Sequence, residues 1–203
     1  MIRLSASHPE WALGFEDEVW WSRLARPGVC AWAKEEDPLR LTALSVPKGD
    51  PDPQAVACYG LYLRGFRPDG GDEMWLRFVE GRPVSGITTQ FLSWCCAELA
   101  AAGKTALLLV WDNASWHISQ EVRGWIRAHN RQVKREGKGV RLVVCRLPSK
   151  SPWLNAIEPK WVHGKRRVVE AERLLTAWEL IERVCAAYGC RHEPHLSLPE
   201  KVA

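Results

Sequence analysis

Two acids in this sequence stand where core packing does not call for them. Asp112 closes the apolar run Thr105–Trp111, so it sits at the C-terminal tip of a buried strand. Glu158 follows the proline-bounded segment Leu147-Pro148-Ser149-Lys150-Ser151-Pro152-Trp153-Leu154-Asn155-Ala156-Ile157 and falls on the first turns of a helix. A third acid, Asp17, lies among Leu13, Phe15, Val19 and Trp21 on one face of an early strand, with Glu18 on the other face. Three converging carboxylates would repel one another and be forced toward protonation unless a cation sat between them. Hard oxygen donors suit Mg²⁺ or Mn²⁺. Two such ions about 3.5–4 Å apart activate an attacking hydroxyl and stabilise the leaving oxygen of a phosphodiester. Each acid alone also has an ordinary explanation, since Asp commonly starts turns and Glu favours helix N-termini.

The elements that must position these acids read as mixed α/β. Strands are expected at Trp11–Leu24, Leu39–Val46, Ala55–Leu63 and Glu73–Val79, with Lys48–Pro53 as a loop. Phe91, Leu92, Cys95 and Leu99 give Thr88–Ala102 helical spacing, ended by Gly103. Thr105–Trp111 and Val140–Leu147 read as buried strands around a helix at Ser119–Lys134. The stretch Arg131–Lys138 with Gly137 and Gly139 reads as an exposed basic loop. Trp153–Val169 is the expected helix carrying Glu158, beginning near Asn155 because Pro159 is tolerated only in a first turn. Thr176–Tyr188 is a final helix with Thr176 and Glu179 spaced as a capping box. The order suits a mixed five-stranded sheet flanked by helices, with a catalytic domain over 1–175 and a C-terminal helix and tail over 176–203.

Composition bounds the rest. The 203 residues, 46% hydrophobic, fit one globular unit. A net charge of +4 permits a nucleic-acid partner without requiring one. Seven irregularly spaced cysteines argue against a disulfide framework and for a reducing cytosol. No apolar run approaches the roughly 20 residues that span a bilayer. Most of the twelve tryptophans are expected in the core, Trp116 and Trp153 among them, with stacking on flipped bases the alternative for these two.

Asn155, three positions before Glu158, is expected to share its helix face and orient it or a metal-bound water; simple capping is the alternative. Asn113 and His117 flank Asp112; His117 would touch a phosphate or an outer water, or else cap or pack. Lys160, His163, Lys165, Arg166 and Arg167 form one basic surface beside Glu158, and Arg123, Arg127, Arg131, Lys134 and Arg135 a second, with Lys150 a further DNA-binding candidate. Flanking an acid site, two such surfaces would suit a DNA phosphate track. Cys185, Cys190, His192 and His195 are a candidate Zn²⁺ set with long spacing, or simply part of a frayed tail.

Asp112-Asn113-Ala114-Ser115-Trp116-His117, followed by Leu147–Glu158, resembles the second and third acidic blocks of the DDE transposases, closest to the bacterial insertion-sequence branch related to mariner elements. Phe15-Glu16-Asp17-Glu18 resembles the first block, and the likeness runs from about Ala12 to Glu172. The resemblance implies an RNase H-like fold and Asp17, Asp112 and Glu158 as catalytic acids binding two Mg²⁺ or Mn²⁺ ions. It also implies cleavage and strand transfer at the inverted-repeat ends of a mobile element, target DNA as second substrate, a homodimer and a bacterial cytoplasmic, nucleoid-associated setting. Two features depart from the family pattern. Asp112 and Glu158 are 46 positions apart, longer than usual, with the excess around Arg131–Gly139. Only sixteen residues precede Asp17, where relatives carry helix-turn-helix modules, so a separately encoded N-terminal DNA-binding polypeptide is one expectation. The competing expectations are a non-catalytic DNA-binding or assembly fragment, and a sequence-tolerant nuclease that does not join strands.

Overall fold

The structure is a computed structural model that describes residues 2–24, 45–168 and 173–198. A short helix α1 (Ile2–Ser7) leads into β1 (Trp11–Ser22), β2 (Ala55–Arg64) and β3 (Glu73–Val79). Helix α2 (Ser85–Ala101), β4 (Ala106–Trp111), α3 (Gln120–Glu136) and β5 (Arg141–Arg146) follow. A single 3₁₀ turn (Pro152–Leu154), α4 (Glu158–Val168) and α5 (Ala177–Tyr188) complete the order. The expected strand at Leu39–Val46 falls almost wholly outside the described residues.

One five-stranded sheet runs β3-β2-β1-β4-β5. The first three strands are antiparallel neighbours, while β4 pairs parallel with both β1 and β5. The β1 alternation sets the two layers. Leu13, Phe15, Val19 and Trp21 face α4 and α5, packing with Ile157, Trp161, Leu180 and Val184. Ala12, Leu107, Leu109 and Trp111 face α2 and α3, packing with Phe91, Leu99 and Val122. Every residue of β4 is buried, as its uninterrupted apolar run requires.

Pairing between β1 and β4 ends at Phe15 and Val110, but β1 continues to Ser22. Beyond that point β1 keeps β2 on one side and, among the described residues, pairs with no strand on the other. The resulting crevice at the C-terminal end of β4 is where an α/β sheet offers room for a ligand.

Several expectations need correction. Arg131–Glu136 is the end of α3 and not a loop; Gly137, in the left-handed region at φ 67°, stops the helix. The extra length between Asp112 and Glu158 therefore holds helix. β5 is not a buried strand: it is an edge strand with Arg141, Val143 and Arg146 exposed. Charge along an edge discourages further strand pairing. Helix α4 starts at Glu158 and not near Asn155, because Pro152 starts a separate 3₁₀ turn. The described part of the C-terminal segment, up to Leu198, is tied to the sheet and not frayed there, since Leu196 exchanges backbone hydrogen bonds with Phe78 and Glu80 beside β3. Of the described tryptophans only Trp21, Trp111 and Trp161 are buried, and Trp153 is 74% exposed.

Candidate active site

The sheet register brings the first two acids level. Pairing stops at Phe15–Val110, and two residues further on each chain segment Asp17 and Asp112 line the same cavity. Glu158 reaches the same crevice from the first turn of α4. Asp17 and Asp112 line one cavity with Glu18, Trp20, Arg82, Pro83 and Trp116. Asp112 and Glu158 line a second, of about 280 Å³, with Asn113, Lys150 and Asn155. Asp112 is common to both.

A close approach between sheet and helix fixes Asp17. Its partner across the β1–β2 ladder is Gly60. A Cβ at Gly60 would lie 2.3 Å from the Trp161 ring, so only glycine lets that indole rest on the sheet. There the Trp161 Nε1–H donates to Asp17 Oδ2 at 2.9 Å. Trp161 is three residues after Glu158, on the same helix face, so the indole that holds Asp17 also sets the helix carrying Glu158.

The loop before α4 is tied down at both ends. Asn113 Nδ2 donates to the Leu147 carbonyl at 2.6 Å, joining the tips of β4 and β5. Asn155 is buried and its Nδ2 donates to the Glu16 carbonyl at 2.9 Å, pinning the loop to β1. Asn155 thus precedes the helix that it was expected to share with Glu158. Its Oδ1 is buried beside the acids and has no hydrogen-bonding partner. Lys150, in the same loop, is the one non-glycine with positive φ among the described residues, at 58°. Such backbone outliers cluster at functional sites.

Electrostatics shows what the acids do to one another. Burial, then the charges of Glu158 and Glu18, push the Asp17 carboxyl up to about 7 against the Trp161 hydrogen bond. Burial, then Asp112, raise Glu158, with Lys165 opposing. Asp112 goes the other way: hydrogen bonds from His117 and the Ala114 amide hold it below the ordinary carboxylate range, against the effect of burial. The site therefore carries one settled carboxylate and two that resist ionising together. A divalent cation would relieve that repulsion, and three carboxylates plus the unpartnered Asn155 Oδ1 are hard donors that fit Mg²⁺ or Mn²⁺. Among the described residues the tightest ligand group is a different one, Glu16, Glu18 and His117, whose donor atoms lie within 4.8 Å of one another.

The basic residues divide. Lys165, Arg166 and Arg167 are exposed on the last turn of α4, and Lys150 is exposed at the rim of the crevice. Lys160 is turned aside, its Nζ 4.5 Å from the Tyr62 ring. Arg131, Lys134 and Arg135 lie on α3, in the opposite layer. Lys134 borders a hollow with Lys104, Thr105 and Arg141, at the start of β4 and far from its tip. The structure does not bring this second basic surface to the acids.

In the C-terminal segment, Cys190 Sγ contacts the Cys185 carbonyl at 3.7 Å, while His192 and His195 meet through Nε2 atoms 3.2 Å apart. The four do not form a ligand group among the described residues. All six cysteines described are free. No helix among the described residues is long and apolar enough to cross a membrane.

Trp161, Gly60, Glu16 and Arg82 are site residues that sequence reasoning missed. The i, i+3 spacing of Glu158 and Trp161 was the one local signal for any of them.

A five-stranded mixed sheet in the order β3-β2-β1-β4-β5, flanked by helices, is an RNase H-like fold. The family described as DDE superfamily endonuclease matches residues 42–181, and the chain belongs to it. Asp112 and Glu158 fall inside that span and Asp17 precedes it. Among solved structures, a Mos1 transposase paired-end complex with left transposon end superposes with a TM-score of 0.61 at 13% identity, covering 94% of this chain and 52% of that one. The Mos1 strand transfer complex gives 0.60 at 12% identity, covering 94% and 51%. A Mos1 mariner paired end complex with Mn gives 0.60 at 12%, covering 94% and 53%. The chain thus spans about half the length of these structures. No curated protein matches the sequence.

Proposed function

We propose that this chain is the catalytic domain of a transposase that cuts and rejoins DNA at the ends of a mobile element. Asp17, Asp112 and Glu158 would be its catalytic acids and would hold two Mg²⁺ or Mn²⁺ ions. The reading rests chiefly on one observation: acids from three separate elements line one crevice, where burial first and neighbouring carboxylates second hold Asp17 and Glu158 above the ordinary carboxylate range. Family membership supports it. Bound divalent ions would supply Lewis acidity to the attacking and leaving oxygens of the scissile phosphodiester.

The chain's own residues do the rest. Trp161 holds Asp17, and Asn113 and Asn155 fix the loop that closes the crevice. Lys150, Lys165, Arg166 and Arg167 would neutralise the DNA backbone on the α4 side. Hydrolysis leaves a 3′-hydroxyl, and that hydroxyl attacks target DNA in a second in-line displacement. Neither step links DNA covalently to the protein. The related structures are paired-end and strand transfer complexes, and we read this chain as acting on transposon ends as a homodimer.

The test is nicking of supercoiled DNA by purified protein with Mn²⁺, with Mg²⁺ and with neither. Nicking should require the ion and vanish in Asp112→Asn and Glu158→Gln while both variants keep their circular dichroism. Equal nicking by wild type and Asp112→Asn contradicts the proposal. DNA binding without metal-dependent cleavage would identify a non-catalytic fragment, and hydrolysis without joining a plain nuclease.

A further inference from the structure

The α2/α3 face of β1 holds a group of charges that the acid triad does not use. Glu16 and Glu18 alternate with Asp17 and so point away from α4 into the opposite layer. Glu16 is 1% exposed and neither of its carboxylate oxygens has a hydrogen-bonding partner. His117, fully buried, faces both glutamates. Its Nε2 lies 3.0 Å from Glu18 Oε1 and 3.3 Å from Glu16 Oε2. Its Nδ1 lies 2.8 Å from Asp112 Oδ1. The ring is stacked 4.4 Å from that of Trp111, at 12°, which fixes its plane. The Trp116 Nε1–H donates to Glu18 Oε1 at 2.7 Å and fixes that carboxylate in turn.

Burying two carboxylates in a core costs several kcal/mol each unless they are compensated. Neither glutamate caps a helix; Glu16 is wholly buried, and Glu18 is nearly so at the edge of the cavity it shares with Asp17. What they share is His117. Both ring nitrogens face carboxylate oxygens, so both carry hydrogens, and the imidazolium bridges the back of the sheet to the active-site acid. Asp112 Oδ1 is then occupied twice, by His117 and by the Ala114 amide at 2.9 Å. Asp112 Oδ2 has no hydrogen bond among the described residues.

We propose that Glu16, Glu18 and His117 form a positioning unit for Asp112, in which the two glutamates lock the imidazole from behind and the imidazole grips Oδ1, so that Oδ2, free of hydrogen bonds among the described residues, is the oxygen that would take a metal. This rests on Asp112 being a metal ligand, as in the function proposed above. Partners of this kind behind a ligand set its orientation, and their loss costs about 10- to 100-fold in metal affinity. None of the three touches substrate. Their effect runs through Asp112 alone.

The experiment compares wild type with Glu16→Gln, Glu16→Gln/Glu18→Gln and His117→Gln. Mn²⁺ affinity is read by calorimetry, and nicking rate as a function of Mn²⁺ concentration. Glu16→Gln keeps the shape of the side chain, leaves the His117 contacts to Glu18 and Asp112 in place and removes a buried carboxylate that makes no hydrogen bond, so it should melt close to wild type and remains informative if the histidine variant folds poorly. The expected result is a 10- to 100-fold weaker Mn²⁺ constant in the double glutamine and histidine variants, and a smaller loss in Glu16→Gln. Nicking at saturating Mn²⁺ should return to within about threefold of wild type. A merely structural role would lower melting and would not be rescued by metal. Unchanged Mn²⁺ affinity in all three variants overturns the proposal, as does a rate loss that excess Mn²⁺ fails to restore. Wild-type protein that binds Mn²⁺ but cuts no DNA would refute the proposed function while the affinity comparison still decides this one. Wild-type protein that binds no Mn²⁺ overturns both.

Discussion

Asp17→Asn should stabilise the metal-free protein while removing its response to metal. Burial and the Glu158 charge raise the Asp17 carboxyl from 3.8 to about 7. At about 1.4 kcal/mol per pH unit, that shift sets a ceiling of about 4 kcal/mol on the cost of ionising it in the folded state. The carboxylate keeps some solvent contact, which reduces the figure to on the order of 2 kcal/mol. The sign follows from the direction of the shift. An acid held more tightly protonated in the folded state costs nothing below about pH 4. The cost grows as pH rises toward 7 and is constant above it. Asparagine carries no such penalty and still accepts the Trp161 Nε1–H through its own Oδ1. For a chain of this size about 2 kcal/mol corresponds to roughly 4–8 °C. Melting followed by circular dichroism with chelator present should therefore show the variant higher by about that amount at pH 8 and nearly equal at pH 4. His117, lifted to about 11 because Glu16, Asp112 and Glu18 outweigh its burial, adds stability that fades between about pH 6.5 and 11. It does so in both proteins and cancels in the difference. Mn²⁺ at 100-fold above its dissociation constant should stabilise wild type by about 2.7 kcal/mol and leave the variant almost unmoved. A variant that melts below wild type at pH 8, or a gap that ignores pH, would refute the reasoning.

Two further predictions bear on the neighbours of the acids. Gly60→Ala should cost about 1–3 kcal/mol in urea unfolding by overpacking against Trp161. It should also lower nicking at fixed Mn²⁺ more than that loss of folded protein explains, because the same indole holds Asp17; nicking that tracks the folded fraction would count against this link. Replacing Lys165, Arg166 and Arg167 together by Gln should flatten the dependence of log DNA affinity on log salt by up to about 3. The same change at Arg131, Lys134 and Arg135 should alter the slope far less, and equal effects would mean that the α3 surface also meets DNA.

Periodicity made parts of this molecule readable in advance. The strict alternation of Leu13, Phe15, Val19 and Trp21 revealed both the strand and the misfit of Asp17. The continuous apolar run before Asp112 located the tip of β4, and Thr176 with Glu179 announced the start of α5. Other parts depend on contacts that no local pattern records. Arg131–Glu136 reads as a loop by charge, yet it lies upstream of the glycine that ends α3. Asn155 reads as helical by its distance from Glu158, but its side chain is spent on a carbonyl of β1. The link from Glu16 and Glu18 to His117 spans about 100 positions and exists only because β1 and β4 are neighbours. Gly60 has no signature at all until Trp161 is laid over it.

The account stands or falls on where a divalent ion binds. A crystal structure with Mn²⁺, read by anomalous scattering, should place manganese at about 2.1 Å from Asp112 Oδ2 and within reach of the Asp17 and Glu158 carboxylates. Manganese held instead by Glu16, Glu18 and His117, or density at neither place in protein that nicks DNA, would contradict it.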